Sequence, residues 1–234
     1  DSISGRKLFD LRGHTKPAMI SSYSLELAVS SDSQFIATAG ADGLVKIWEA
    51  ETGRVTSTFS DLPSPPTAVA FAPNYHFLAV GTEHFARLYD LAQKHASITM
   101  LIPQGARALC FLADGKTLTT TGGDGMIRFW EVATGQELRK IQTGQDKLYV
   151  LTLSADGKYL FFNGSLDGRI YRIDLATGEE IAVTEMRREV SAVDASGSRI
   201  AAADEQDKRS IEIIDVASGR VIDRIRGTGP NDEI

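Results

Sequence analysis

The residues able to do chemistry in this 234-residue chain are few and poorly grouped. Its histidines, His14, His76, His84 and His95, show no metal-type spacing such as two imidazoles on one helical face. No strand-turn-helix serine elbow is present, and no Ser/His/Asp set assembles from neighbouring segments. Asp114-Gly115-Lys116-Thr117 has the ending of a phosphate-binding loop, but Cys110 stands where that loop needs its first glycine, so a β-turn is expected. Asn163-Gly164-Ser165 fits the N-glycosylation pattern, yet Asn163 falls where two other copies of the same stretch carry Thr38 and Thr120, at the end of a strand. Cys110, the one cysteine, lies in an Ala-Leu-Cys-Phe-Leu run and reads as a buried strand residue, with no disulfide framework and no cysteine-rich metal site. No catalytic residue, cofactor or metal is expected.

The carboxylates that recur do so by register. Trp48, Tyr89, Trp130, Ile173 and Ile214 follow one another at spacings of 41, 41, 43 and 41 residues, and each is followed by an acid: Glu49, Asp90, Glu131, Asp174 and Asp215. Five residues after each aligned position stands Gly53, Lys94, Gly135, Gly178 or Gly219. A second turn, marked by Asp32, Asn74, Asp114, Asp156 and Ser196-Gly197, keeps the same period. Internal repetition at 40–45 residues identifies a structural unit, and an acid repeated in every unit is expected to hold a turn rather than react.

Each unit reads as four short strands. In the third copy these fall near 107–112, 117–121, 126–131 and 137–141, joined by Asp-Gly, Gly-Asp-Gly and Thr-Gly turns. No stretch keeps a helical period. An all-β chain of five four-stranded antiparallel blades follows, over about 17–60, 66–102, 106–143, 147–184 and 188–226, within a single domain spanning 1–234. A lone outer strand is expected ahead of them over 6–12, because Ser4-Gly5-Arg6 begins as Thr52-Gly53-Arg54 does. Five blades with one strand over favour an arc of a larger ring, of six to eight blades. A five-bladed ring with a surplus edge strand is the alternative, and self-association through that strand or the missing blades is then an expected hazard.

The chain resembles the WD-repeat β-propeller family. The resemblance implies a hydrogen-bonded tetrad, matched throughout in the first repeat by Gly13-His14, Thr38, Asp42 and Trp48. The third repeat keeps Thr120, Asp124 and Trp130 without the histidine. The fourth keeps Asp167, with Gly144-Gln145 and Ile173 in the other places, and the fifth has a long polar turn at 204–209. The resemblance also implies a narrow face, built by the loops before the first strand and between the second and third, that docks peptides or protein domains. On this chain those loops carry Arg12, Lys16, His84, Phe85, Arg107, Asp146, Lys147, Tyr149, Arg187, Arg188 and Arg209. Arg and Tyr are enriched at interfaces.

Net charge −6 without a basic stripe speaks against nucleic acid as the partner, and no apolar run reaches the ~20 residues of a membrane helix. A non-enzymatic scaffold for a protein or peptide is therefore the expectation. The alternative is the propeller part of a multidomain enzyme or signalling protein, with a ligand or metal in its central channel. The compartment is left open, a cytoplasmic one being marginally favoured.

Overall fold

The structure is a computed structural model, and it describes residues 10–15, 26–164, 167–184, 189–193, 198–203 and 210–226. Among the described residues, twenty strands form five separate four-stranded antiparallel sheets, each a simple meander, arranged as the blades of a β-propeller. Blade 1 holds β1 (Glu26–Val29), β2 (Phe35–Ala39), β3 (Val45–Glu49) and β4 (Val55–Phe59). Blade 2 holds β5 (Pro66–Phe71), β6 (Phe77–Thr82), β7 (Phe85–Asp90) and β8 (His95–Leu101). Blade 3 holds β9 (Ala108–Phe111), β10 (Thr117–Thr121), β11 (Met126–Glu131) and β12 (Glu137–Gln142). Blade 4 holds β13 (Leu148–Leu153), β14 (Tyr159–Gly164), β15 (Ile170–Asp174) and β16 (Glu180–Ala182). Blade 5 holds β17 (Glu189–Val193), β18 (Arg199–Ala203), β19 (Ser210–Asp215) and β20 (Val221–Arg226). Of the leading strand expected over 6–12, residues 6–9 lie outside the described residues and 10–12 carry no strand pairing.

The turns explain why the chain folds back where it does. Gly53, Lys94, Gly135, Gly178 and Gly219 all take left-handed backbone, with φ between 57° and 76°. Each donates its N–H to the carbonyl of the acid four residues earlier, for example Gly53 to Glu49 and Lys94 to Asp90, both at 2.8 Å. The acid's side chain closes the same turn: Asp174 accepts from the N–H groups of Ala176 and Thr177, and Asp90 from those of Ala92 and Gln93. Asp32, Asn74, Asp114 and Asp156 cap the other turn by accepting the N–H two residues on. Its fifth marker, Ser196-Gly197, lies outside the described residues. The recurring acids are thus turn residues.

Apolar packing lies between blades, because alternate residues of a strand point to opposite faces. Each blade has a forward face toward the next blade and a rear face toward the one before. The forward face of blade 1 (Ala37, Ala39, Val45, Ile47, Phe59) packs on the rear face of blade 2 (Val69, Leu78, Val80, Tyr89). The arrangement repeats with Ala79, Ala86 and Leu88 on Leu109, Phe111, Leu118 and Trp130. It repeats again with Ile127 and Phe129 on Leu151, Leu160, Phe162 and Ile173, and then with Phe161 and Ile170 on Ile200, Ala202 and Ile214. The innermost strands touch in the order β1, β5, β9, β13, β17, and among the described residues β17 and β1 share no contact of comparable extent.

Candidate functional site

Two kinds of polar group occupy the narrow end of the blades: side chains locked into the framework, and side chains left on the rim. The first kind is complete only in blade 1. The Trp48 indole N–H donates to Thr38 Oγ1 at 2.8 Å, and Thr38 Oγ1 lies 2.8 Å from His14 Nε2. His14 Nδ1 lies 2.9 Å from Asp42 Oδ1. A carboxylate only accepts, so Nδ1 carries the proton, Nε2 accepts, and the Thr38 hydroxyl donates to it. Asp42 also takes the N–H groups of Thr15 and Leu44. Burial raises its pKa, but these backbone donors and the imidazole outweigh that and hold the carboxyl below its ordinary value. Gly40 is required beside them, since a Cβ there would lie 2.3 Å from His14 Nδ1. All four residues expected in the first tetrad are brought together.

In blade 3 the tetrad is split. Trp130 donates to Thr120 Oγ1 at 2.9 Å, but Asp124 belongs to neither. With no histidine between them, Asp124 turns to Arg128, whose Nη2 is 2.5 Å from Asp124 Oδ2 and whose Nε is 3.3 Å from Glu137. Burial pushes the Asp124 carboxyl up, and the Arg128 guanidinium more than reverses it. Asp167 in blade 4 likewise leaves the expected motif, because Ile173 offers no donor. It accepts the Tyr171 hydroxyl at 2.6 Å and the Arg169 N–H. Burial and this carboxylate push Tyr171 up to about 12.

Strand register corrects the alignment in this blade. Phe162 pairs with Tyr171 as Thr38 pairs with Lys46, so Phe162 holds the threonine's place and Asn163 points to the other face. Gln145 does take the histidine's position: it lies against Gly164, where a Cβ would fall 2.1 Å from Gln145 Oε1. Blade 2 builds a substitute of its own. Tyr89 donates to Asp61 Oδ1 at 2.7 Å, and Arg87 bonds the same carboxylate at 3.0 Å.

Sequence reasoning missed a polar position shared by the later blades. Arg87, Arg128, Tyr171 and Glu212 stand two residues before the aligned core position, and each has a polar partner, Glu212 pairing with Arg224. The signal was available, since these residues keep the repeat's own period with Lys46. Cys110 is also structural. Its Sγ lies 2.9 Å from Thr119 Oγ1, and enclosure of the thiol pushes its pKa up to about 12.

The second kind of polar group surrounds a cavity of about 960 Å³. Its walls come from the innermost strands of four blades (Glu26; Pro66–Val69; Ala108 and Leu109; Val150 and Leu151) and its mouth from the loops 82–84 and 104–107. His84 and Arg107, both expected on the narrow face, line it and are exposed. Glu26, Glu83 and Gln104 line it as well and were not foreseen. Gln104 and Gly105 both have positive φ, and a Cβ on Gly105 would lie 2.9 Å from the Glu83 carbonyl oxygen, so the loop from one blade is seated on the turn of the blade before. Thr67 fixes the same loop by donating to the Ala106 carbonyl at 2.5 Å.

Of the other residues expected on this face, Arg12 is exposed beside Asp10, and Lys147 is exposed next to Asp146. Phe85 is a correction: it starts β7, is buried, and carries the Arg87 guanidinium 5.0 Å from its ring centre. Its buried ring lies under the Arg87 guanidinium and so is not on the exposed rim. Tyr149 lies on β13. Lys16, Arg187, Arg188 and Arg209, with the 204–209 turn, lie outside the described residues. Among the described residues no three His, Cys, Asp or Glu side chains are grouped to hold a metal ion, and no helix is long and apolar enough to cross a membrane.

Meandering four-stranded blades, joined by acid-capped turns and carrying a Trp-Thr-His-Asp tetrad in blade 1, define a β-propeller. Comparison with known proteins agrees. The family described as WD domain, G-beta repeat matches residues 5–49 and 101–131. The chain is 24% identical over 142 residues to autophagy-related protein 16 of Arabidopsis thaliana, covering 60% of this chain and 28% of that protein. It is 28% identical to the small ribosomal subunit protein RACK1 of Trypanosoma brucei brucei, covering 57% and 42%. It is also 28% identical over 180 residues to pre-mRNA-processing factor 17 of Saccharomyces cerevisiae, covering 72% and 37%. These matches support a WD-repeat family for the chain, which spans well under half the length of these curated relatives.

Proposed function

We propose that this chain is a non-enzymatic interaction module that holds a peptide or a protein segment on its narrow face, over the mouth of the central cavity. What supports this is the division of polar side chains. The motif residues are spent inside the blades, whereas Glu83, His84, Gln104 and Arg107 stand at the rim of a cavity about 960 Å³ in volume. Rigid strands present these loops, and a preformed site of this kind binds by complementarity with little ordering cost. The names of the relatives fit such a role, since one is a ribosomal subunit protein and another a subunit of the target of rapamycin complex.

Selection of a displayed peptide library against the whole chain tests the reading. Selected peptides are expected to lose binding by about tenfold or more to Arg107→Glu, the cost of reversing a rim charge at a binding face. Arg54→Glu, on the turn at the opposite end of blade 1, is expected to leave binding unchanged. Peptides that tolerate Arg107→Glu but not Arg54→Glu would overturn the assignment of the face.

A further inference from the structure

Among the described residues, each blade ends in an outermost strand with one edge that no further strand pairs, and the five edges are not alike. β12 carries Glu137, Arg139 and Lys140, β20 carries Asp223, Arg224 and Arg226, and β16 is three residues long with Glu180 among them. Charges and short strands are the usual means by which a sheet edge avoids pairing with another chain. β4, Val-Thr-Ser-Thr-Phe, has no charge of its own. Lys94 of blade 2 supplies one, donating from Nζ to the Thr56 carbonyl at 3.5 Å.

β8 has none of these protections. Its seven residues include no Asp, Glu, Lys or Arg, and His95, Ser97, Thr99 and Leu101 are exposed, Leu101 by 76%. The position in blade 3 equivalent to Lys94 is Gly135, which has no side chain to reach the edge and sits where a Cβ would lie 2.4 Å from Ile98. The Ile102 N–H bonds the His84 carbonyl at 3.0 Å. Bonds alternate along an antiparallel ladder, so Thr99 and Leu101 turn their N–H and C=O groups away from β7. Ser97 stands at the bulge, equivalent to Thr56, whose carbonyl also faces outward. Blades 1 and 3 flank blade 2. Further blades of a longer ring stack on blade faces, so none of them occupies this edge.

We propose that β8 pairs antiparallel with β8 of a second copy, across a two-fold axis at Thr99. Absence of charge is what self-pairing requires. In two identical antiparallel strands a charged residue at the axis meets its own kind, a constraint that a foreign strand does not impose. The outward backbone groups set the register. Centring on Thr99 places Thr99 opposite Thr99 and Leu101 opposite Ser97, which engages all three outward-facing residues, and other registers engage fewer. Ile98 and Met100 then lie opposite each other on the second face of the joined sheet. The contact is isologous and closes at two copies. β8 lies on the outer flank of its blade, so this pairing leaves the narrow face open and does not depend on that face being a binding site.

The test is sedimentation velocity on the 234-residue chain, with hydrogen exchange as a second readout. Wild type is expected to dimerise with concentration and to grow no further, and the amides of Thr99 and Leu101 are expected to gain protection as it does. Thr99→Lys should weaken dimerisation by about tenfold, because two like charges then stand opposite each other. An equimolar mixture of Thr99→Lys and Thr99→Glu should recover it. Thr99 also accepts from Arg87 Nε at 3.3 Å, so Thr99→Val, which loses that bond without adding charge, should dimerise as wild type does. Leu101→Pro removes an outward N–H and no ladder bond, and should abolish dimerisation. Circular dichroism verifies the fold of each variant, and Lys140→Glu, on the exposed β12, should leave dimerisation unchanged. A monomer at all concentrations would overturn the proposal. So would association unaffected by Thr99→Lys and Leu101→Pro, or a mixture of the charged variants no tighter than Thr99→Lys alone.

Discussion

Thr38 carries more of the first blade than its size suggests, and Thr38→Val isolates the effect. Valine keeps the shape and removes one hydroxyl, so two partners lose their bonds at once. The Trp48 indole N–H is almost fully buried and has nothing else to donate to. Stranding such a donor costs about 1–3 kcal/mol. His14 Nε2 also loses the Thr38 proton, and since the imidazole is partly reached by solvent its share is about 1 kcal/mol. The sum is roughly 2–4 kcal/mol, which in a chain of this size lowers the melting temperature by roughly 5–10 °C. Thr120→Val is the internal control: it strands only the Trp130 N–H and should cost about 1 kcal/mol less. Because the chain has two tryptophans, one on each motif, urea unfolding in a Trp130→Phe background reads blade 1 through Trp48 alone. This matters in a repeat protein, whose units unfold partly independently. A Thr38→Val variant within about 0.5 kcal/mol of its parent, or milder than Thr120→Val, would refute the chain of hydrogen bonds described for the tetrad.

Three further outcomes follow from particular residues. Lys94 takes the left-handed backbone that its four equivalents leave to glycine, so Lys94→Gly should stabilise by about 0.5–1 kcal/mol in urea unfolding, and Gly135→Ala should destabilise by more than that, its Cβ falling 2.4 Å from Ile98. Arg128→Met leaves the Asp124 carboxylate without its cation and should cost about 2–3 kcal/mol at neutral pH. The folded pKa of Asp124 lies below its ordinary 3.8, so its contribution is fully present above that value and is lost as pH falls through the lower folded value. The difference between wild type and Arg128→Met should therefore shrink in acid, and a difference independent of pH down to pH 2 would contradict the pairing. Dialysis against a chelator should shift the melting temperature by less than about 1 °C, while stoichiometric metal by elemental analysis would argue for a channel ligand after all.

The period of 41–43 residues made the blades legible because it is enforced locally. Asp or Glu before an exposed turn, and glycine where φ must be positive, act within five residues, so they stand in the sequence where they act. The tetrad of blade 1 was legible through the resemblance to the WD-repeat family, whose Gly-His, Thr, Asp and Trp positions are matched by Gly13-His14, Thr38, Asp42 and Trp48. Asp124, Asp167 and Phe85 were misplaced because their roles depend on which side chain lies opposite. Once histidine is absent, a carboxylate goes to the nearest donor, here Arg128 or Tyr171, and a one-residue difference in register moves Asn163 to the other face of its blade.

What the sequence determined by itself, then, was the all-β architecture and the number of repeats, since these rest on turns and periodicities that act between near neighbours. Only the tertiary structure decided which rim residues meet around the cavity, with Glu26 and Gln104 joining His84 and Arg107 from strands and loops far apart in the chain. It also decided that Leu109 and Leu151 are covered by the blade before. An alternating apolar pattern shows that a strand has a face to bury; only the stacking of blades shows whether a neighbour is there to bury it.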